Sequence, residues 1–443
     1  MKNNNKIILL ILLLIVTNAF GLEWKGLDHP AARRNAMIIV DSLNQRIILF
    51  GGTSDRLQNG IWFNDVWEMP LDTIIGNSWR RLSPSGNPPE GRCWSATVYD
   101  PEYQRMIIFG GQHSSTLLND VWALNLTLGN ESWERLYPSG AAPNTRYAIF
   151  YIYHPTRKSM IIFGGTGYNN DFDDAWELKL DSMSWQAIPI TGTRPTTRGG
   201  AGGFFDWVNN RMIVFGGTHE GTFLNELWAL DLTPGNEHWT QLSYSGYVPE
   251  LTSYSFGHDP MRNKFYIFSG WNTSQYYNNL YALDVSNLTW SVLYPSGDLP
   301  IERRNSTGVY DFFNDNFIVF GGDQYYNCYF SDLFYIYLGS VDIAEWQSQP
   351  ILSSYPALFV NTIASGSVRI RYMLPKLCNI SVKILDSNGR VVRNLFSGRI
   401  NSQTDWLNWN LKDVNNQKVS SGIYYCLLET EDTNISKKFI VAK

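Results

Sequence analysis

The sequence predicts an all-β chain in which six four-stranded sheets close into a ring and a small β-sandwich follows. Three observations predict this. A diglycine recurs in six segments at steps of 59, 54, 52, 53 and 52 residues. Each recurrence follows a short apolar strand and precedes two spaced aromatic residues. The last stretch of the chain leaves that frame and alternates apolar with polar positions between turn residues, the pattern of a half-buried antiparallel sheet.

Composition narrows the field first. The 443 residues are 44% hydrophobic, 15% aromatic and only 17% charged, which excludes a chain disordered throughout. Net charge is −5 with no long basic run, so binding to nucleic acid through phosphate neutralisation is excluded. Four cysteines, none in a CxxC or Cys/His cluster, exclude a scaffold stapled by zinc or by disulfides.

The N-terminus reads as a secretory signal peptide over residues 1–21. Lys2 and Lys6 precede an unbroken apolar run, Ile7 to Val16, and Ala19-Phe20-Gly21 supplies small residues for cleavage. Ten apolar residues are too few for a helix of ~20 residues across a bilayer, and no later stretch is longer. The mature chain is expected outside the cytoplasm, with no transmembrane span and a net charge of −7 once both lysines are removed.

Residues 22–349 carry the repeat. The pair Gly51-Gly52 recurs as Gly110-Gly111, Gly164-Gly165, Gly216-Gly217, Ser269-Gly270 and Gly321-Gly322. The strands before them read RIILF, RMIIF, SMIIF, RMIVF, KFYIF and NFIVF. Trp67, Trp122, Trp176, Trp228, Tyr281 and Phe334 follow, then Trp79, Trp133, Trp185, Trp239, Trp290 and Trp346. In the first unit the strands fall near Met37–Val40, Arg46–Phe50, Asp65–Met69 and Trp79–Leu82. A sheet of this size exposes two apolar faces, and packing it between equivalent sheets around an axis buries both. Large aromatics suit the space that widens outward between sheets, and Gly199-Gly200-Ala201-Gly202-Gly203 suits the crowded innermost strand. Seven segments resemble the outermost strand, counting Trp24, so either Trp346 or Trp24 completes the sixth sheet. Trp346 follows its own sheet directly and is expected to do so, with Trp24 beside the ring or replacing that strand as a clasp.

A period near ~50 residues with six diglycines and both aromatics in register resembles the kelch-repeat β-propeller family from about Trp24 to Trp346. Pro-x-x-Arg opens five units, giving Arg33, Arg92, Arg146, Arg198 and Arg303, with Thr252 at the matching position of the fifth. Antiparallel order puts these positions on the face where the loops between second and third strands emerge. Those loops vary in length and are rich in aromatic and polar residues, and variable loops on a rigid scaffold are where binding resides. His113, Tyr168, His219, Glu220, Trp271, Tyr276 and Tyr325 are the candidate ligand contacts on that face, and the five arginines are candidates for a ligand carboxylate. A residue repeated in five blades also suits a purely structural role. Asn64-Asp65, Asn119-Asp120, Asp173-Asp174 and Asn225-Glu226, together with Asp41, Asp100, Asp206, Asp259 and Asp311, read as turn-forming residues that bond local backbone.

No catalytic set converges. The copper radical oxidases among kelch propellers need a Tyr–Cys cross-link and two His ligands, whereas here Cys93, Cys328 and six scattered His offer no such group. Sialidase Ser-x-Asp-x-Gly boxes are absent. No cofactor and no metal are expected.

Residues 355–443 read as a separate sandwich. Ile370-Arg371-Tyr372-Met373-Leu374-Pro375, then Val382 to Val392 with the turn Asp386-Ser387-Asn388-Gly389, then Trp409, Lys412-Asp413, Ser421-Gly422-Ile423-Tyr424-Tyr425 and the closing Lys437 to Lys443 carry the pattern. This segment resembles the C-terminal sorting domain of bacterial type IX secretion cargo, which shares the Ig-like shape of flagellar hook-capping proteins. The opening Tyr355-Pro356-Ala357-Leu358-Phe359 keeps only the frame of the usual Tyr-Pro-Asn-Pro-Phe. The resemblance implies a partner in the secretion machinery. The resulting expectation is a secreted or cell-surface bacterial recognition protein whose loop face binds an extracellular glycan or protein. The alternative is a secreted carbohydrate-active enzyme of the kelch sialate mutarotase type.

Overall fold

The computed structural model describes residues 29–54, 60–71, 79–260, 262–295, 299–325, 328–338, 357–360, 363–364, 367–374, 377–400, 404–431 and 434–441. The expected signal peptide, Trp24 and Trp346 lie outside the described residues.

Five antiparallel four-stranded sheets follow one another along the chain. The first comprises Met37–Asp41, Arg46–Phe50, Val66–Pro70 and Arg80–Leu82, hydrogen-bonded in that order. The inner strands of the next four are Ala96–Asp100, Phe150–His154, Gly202–Asp206 and Ser255–Asp259. The sixth sheet shows Thr307–Asp311, Asn316–Phe320 and Leu333–Tyr337 among the described residues. Second strands such as RIILF and SMIIF are buried at every position because each lies between two neighbouring sheets as well as between two strands. That is why they read as unbroken apolar runs rather than alternating ones.

Two rings of backbone hydrogen bonds close the circle. The second glycine of each diglycine donates to the next blade: Gly52 to Arg92 at 2.8 Å, Gly111 to Arg146 at 2.9 Å, Gly165 to Arg198 at 2.8 Å, Gly217 to Leu251 at 3.3 Å and Gly270 to Arg303 at 2.9 Å. Gly322 of the sixth blade then donates to Arg33 of the first at 2.9 Å, which makes the array a ring rather than a row. These glycines have φ between 93° and 102°. A Cβ on Gly322 would stand 2.7 Å from the Arg304 carbonyl, so both conformation and space demand glycine there. The inner ring runs through Asn35, Trp94, Ala148, Gly200, Ser253 and Asn305, all in the left-handed region. Trp94, Ala148, Gly200, Asn305 and Asn35 each donate to the preceding member, Asn35 to Asn305 at 2.8 Å; between Gly200 and Ser253 the Thr252 hydroxyl reaches the Gly200 carbonyl at 3.1 Å.

Those carbonyls correct one alignment. The fifth-blade counterpart of the repeated arginine is Leu251, not Thr252, because the lead-in from Trp239 is one residue shorter than from Trp79, Trp133, Trp185 or Trp290.

The outer-strand tryptophans seal the seams between blades. Trp133 packs on Phe50, Trp185 on Phe109, Trp239 on Phe163 and Trp290 on Phe215, with ring centroids 4.6–4.9 Å apart. Trp79 packs on Phe320 across the closing seam at 5.6 Å. At the centre, Gly202 and Gly203 of the fourth blade leave room for aromatic rings from both sides. A Cβ at Gly203 would meet Phe150 at 2.8 Å and the Ile213 carbonyl at 1.9 Å, and Phe150 and Phe256 approach across the fourth blade at 6.2 Å.

The C-terminal unit is a sandwich of a three-stranded sheet, Ala357–Val360, Val368–Met373 and Thr404–Trp409, and a five-stranded sheet including Asn379–Asp386, Val391–Arg399, Gly422–Thr430 and Asn434–Val441. Val368, Ile370, Val382, Ile384, Trp409, Leu428 and Phe439 fill its core. Cys426 stands opposite Ile384, six residues from Cys378 along the same line, or ~20 Å at strand rise, far beyond the ~7 Å limit for a disulfide.

Candidate functional site

The loops that follow the diglycines emerge on one face. The five motif arginines stand at the root of that face, but inside the blades. Arg33, Arg92, Arg146, Arg198 and Arg303 are essentially fully buried. Each donates to the first-glycine carbonyl of its own blade, from Gly51 at 2.9 Å to Gly110 at 3.2 Å. Each also pairs with a carboxylate at the start of the third strand: Asp65, Asp120, Asp174, Glu226 and Asp332, at 2.5–2.7 Å. The expectation that they attract a ligand carboxylate is therefore corrected: a carboxylate of the same blade already holds each guanidinium. The acidic members read as turn formers are corrected with them, since Asp65, Asp120, Asp174 and Glu226 also accept from the indoles of Trp67, Trp122, Trp176 and Trp228. Burial alone would raise the Asp65 and Asp120 carboxyls, but the hydrogen bonds and charges of Arg33 and Arg92 leave both lowered. The opposite-face aspartates do act as turn residues: Asp206 and Asp311 accept the backbone N–H groups of the following hairpin.

The fifth blade replaces this whole arrangement. Leu251 stands for the arginine, Asn279 for the carboxylate and Tyr281 for the tryptophan. Losing both charges together avoids leaving one buried without its counter-charge.

On the same face, the residues that differ between blades form the surface. Trp271 stacks beside Tyr276 at 6.3 Å, Tyr276 meets Tyr325 at 4.5 Å, and Phe223 meets Trp271 edge-on at 5.2 Å. The strip joins loops of the fourth, fifth and sixth blades. The Arg304 guanidinium lies 4.2 Å over the Trp271 ring and 5.5 Å from Tyr276, with the buried Asp323 at 3.6 Å. Arg34 of the first blade lies 5.5 Å over Trp94, which packs on Tyr147 of the third blade at 5.2 Å. The Tyr168 ring is exposed and its hydroxyl accepts from Leu117 N–H at 2.8 Å. Tyr325 is exposed as well.

The two candidate histidines occupy matching positions, two residues past their diglycines. His113 bonds the Gly91 carbonyl, packs on Trp62 at 5.6 Å and has Glu90 at 3.9 Å. His219 bonds Thr197 at 2.7 Å, and the exposed Glu220 lies 4.0 Å away. Thus Trp271, Tyr276 and Tyr325 are brought together, His219 and Glu220 share the hairpin of Phe223 at the end of that strip, and His113 and Tyr168 stand on other loops. Sequence reasoning missed Arg34, Arg304, Trp94, Tyr147 and Phe223. The signal for four of them lay beside the motif. The two residues after each repeated arginine are not part of the repeat, reading Arg34-Asn35 and Arg304-Asn305 in two blades but Cys93-Trp94, Tyr147-Ala148 and Gly199-Gly200 in the others. Among the described residues, no three His, Cys, Asp or Glu side chains are grouped to hold a metal ion.

The ring closure, the diglycine geometry and the blade-internal Arg–carboxylate clasps define a six-bladed kelch-repeat propeller with an appended β-sandwich. The family described as the KLHDC2/KLHL20/DRC7 Kelch-repeats domain matches residues 9–131, 126–258 and 258–358, and the chain belongs to it. The Secretion system C-terminal sorting domain matches residues 364–442. Among curated proteins the chain is similar to the dynein alpha chain of the flagellar outer arm of Chlamydomonas reinhardtii, 26% identical over 63% of this chain and 6% of that protein. It is also similar to the leucine-zipper-like transcriptional regulator 1 homolog of Drosophila melanogaster, 30% identical over 49% of this chain and 23% of that one. Acyl-CoA-binding domain-containing protein 5 of Arabidopsis thaliana is 26% identical over 58% of this chain and 40% of its own length. The chain thus spans less than half the length of these relatives. The solved structure of YjhT shares the fold at a TM-score of 0.54 and 12% identity, covering 69% of this chain and 95% of that one. A kelch propeller carrying a secretion sorting domain is a secreted or surface protein of a bacterium, and the sorting domain implies contact with the secretion machinery. Among the described residues no helix is long and apolar enough to cross a membrane.

Proposed function

We propose that the protein is an extracellular recognition module whose diglycine face binds a glycan. The observation that carries this reading is the aromatic strip Phe223–Trp271–Tyr276–Tyr325 with Arg304 laid over it. Flat rings present apolar faces to the C–H side of a sugar, and a guanidinium held over them offers donors to hydroxyl or carboxylate groups. A ring contact is worth ~0.5–1.5 kcal/mol beyond the area it buries, so removing one is expected to weaken binding roughly 3- to 10-fold.

A glycan array probed with the purified exported protein, followed by titration of the best sugar, tests the reading. Trp271→Ala and Tyr325→Ala should each weaken that titration while leaving the melting temperature within about 1 °C. A sugar titration unaffected by both, or capture of a protein partner with no sugar bound, would reject it. Turnover of a bound sugar would instead favour the enzyme reading.

A further inference from the structure

The face opposite the aromatic strip carries the hairpins that join first strands to second strands. In four blades an aspartate ends the first strand and pairs with an arginine of the same hairpin: Asp41 with Arg46, Asp100 with Arg105, Asp206 with Arg211 and Asp259 with Arg262. The third blade departs from this. His154 stands in the aspartate's place, and Ser159 starts the second strand where Arg46 and Arg105 do in the first two blades. Arg157, two residues earlier, takes over the link to the next blade. It donates to the Leu232 carbonyl, as Arg46 does to Leu126 and Arg105 to Leu180.

At this seam a cavity of about 290 Å³ lies between the hairpins of the third and fourth blades. His154, Pro155 and Arg157 line it on one side, and Trp207, Asn210 and Leu232 on the other. Aromatic packing fixes one wall: the His154 ring is 4.5 Å from Phe205, and Phe205 is 5.3 Å from Trp207. Ligand pockets begin near ~300 Å³, so this one has the size for a single small ring. At ~30 Å³ per water it has room for about ten waters or one six-membered sugar.

The hydrogen bonds leave a donor unused. His154 Nδ1 accepts from the Arg157 backbone N–H at 3.4 Å, so Nε2 carries the proton and donates to Asn210 Oδ1 at 3.0 Å. With its oxygen held there, the Asn210 amide nitrogen has no partner among the described residues. Charge, by contrast, is already balanced. The Arg157 guanidinium lies 3.3 Å from Glu177 and 3.5 Å from Glu237. Those carboxylates also accept from Ser159, Gln186 and the Gly235 N–H. Burial, then the Arg157 charge, pushes His154 down to about 4, which leaves its imidazole neutral at ordinary pH. A ligand carboxylate would compete with two carboxylates for one arginine, and a ligand amine would meet that arginine with no carboxylate to spare.

We propose that this cavity is a second carbohydrate site, which takes one neutral pyranose with Trp207 against its C–H face and the Asn210 amide donating to a hydroxyl. A neutral sugar uses the flat indole and the spare donor without disturbing the ion pairs. The site does not depend on what the aromatic strip binds. Because the two lie on opposite faces, one molecule can hold two glycan chains at once.

The purified exported protein carrying Trp271→Ala/Tyr325→Ala, which disables the strip, is the background for the test. Saturation-transfer NMR and calorimetry follow its titration with the methyl glycosides of glucose, galactose, mannose and N-acetylglucosamine, and with glucuronic acid. At least one neutral glycoside is expected to bind at one site per chain, and glucuronic acid to bind more weakly. Adding Trp207→Ala should weaken that titration roughly 3- to 10-fold. Asn210→Gly, which tolerates the φ of 48° at that position, should weaken it as well. Thr156→Trp adds bulk from an exposed position in the cavity lining and should abolish binding without touching the core. Binding by none of the neutral glycosides, a titration that Trp207→Ala and Thr156→Trp leave unchanged, or tighter binding of glucuronic acid than of any neutral sugar would overturn the proposal.

Discussion

Cutting one carboxylate from a blade should cost far more than rebuilding the whole clasp without charge. Arg92 has no exposed side-chain area, and Asp120 keeps 15%. The guanidinium makes two bonds to Asp120, at 2.6 and 3.0 Å, and others to the Glu90 and Gly110 carbonyls. Asp120→Ala leaves that cation buried with carbonyls alone and takes the acceptor from Trp122. Breaking a buried pair from one side costs ~3–5 kcal/mol, and the partial exposure of Asp120 points to the lower end, ~3 kcal/mol. For a ring of roughly 310 residues, unfolding entropy near ~0.65 kcal/mol/K turns this into a fall of about 5 °C in Tm. The fifth blade shows the repair: Arg92→Leu/Asp120→Asn/Trp122→Tyr installs the Leu251, Asn279 and Tyr281 set and should cost under ~1 kcal/mol. Thermal unfolding by circular dichroism, with urea titration as a second measure, reads both variants. If Asp120→Ala melts within a degree of wild type, or the triple variant melts as low as the single one, the clasp is not a coupled pair and the reasoning fails.

Further outcomes follow from the core. Burial against Phe204 pushes His258 down to about 3, and burial followed by the Arg157 charge takes His154 to about 4. Both fold as neutral rings, so the unfolded chain binds protons that the native state refuses. Stability is complete above ~6.5 and declines as pH falls toward those lowered values, before the carboxylate clasps are lost at lower pH. His258→Phe should flatten the decline between pH 6.5 and 4 in acid titrations followed by tryptophan fluorescence; an unchanged profile would count against His258 as its source. Gly203→Ala places a methyl against Phe150 and the Ile213 carbonyl and should destabilise by about 3 kcal/mol or more, whereas a wild-type melting curve would show that the central aromatics yield.

The fold was legible because the ring repeats the same physical problem six times. Each diglycine answers one need, a left-handed turn pressed against a neighbouring carbonyl, and recurrence makes that need visible without coordinates. The arginines were equally visible, but their partners were not. Asp65 and Asp120 lie 32 and 28 residues away, and nothing local distinguishes a carboxylate that caps a turn from one that clasps a guanidinium. In the fifth blade the Pro-x-x spacing from Pro249 points to Thr252, whereas the interval of 18 residues that separates each other motif arginine from its diglycine points to Leu251, and the hydrogen bond from Gly217 decides for Leu251. Trp94 and Tyr147 have no like residue at the matching position of another blade, and Arg34 recurs only as Arg304, so no sixfold pattern marks any of them.

That last failure separates scaffold from surface. A ligand on the axis of a ring breaks its symmetry, so residues kept in every blade serve the blade and those that change from blade to blade are available to the ligand. The arginines three and four residues after Pro30 and Pro300 illustrate the division. Arg33 and Arg303 are buried in matching clasps, while their immediate neighbours Arg34 and Arg304 lie over the aromatic rings of Trp94 and Trp271. The aromatic strip follows the same division, since it gathers on the fourth to sixth blades and is centred on the fifth, where the charged clasp has been exchanged for Leu251, Asn279 and Tyr281. The blade that departs furthest from the repeat thus carries Trp271 and Tyr276, the rings on which recognition is proposed to rest. The loss of the clasp and the gain of the strip coincide in one blade, which makes that blade the place where scaffold regularity yields to function.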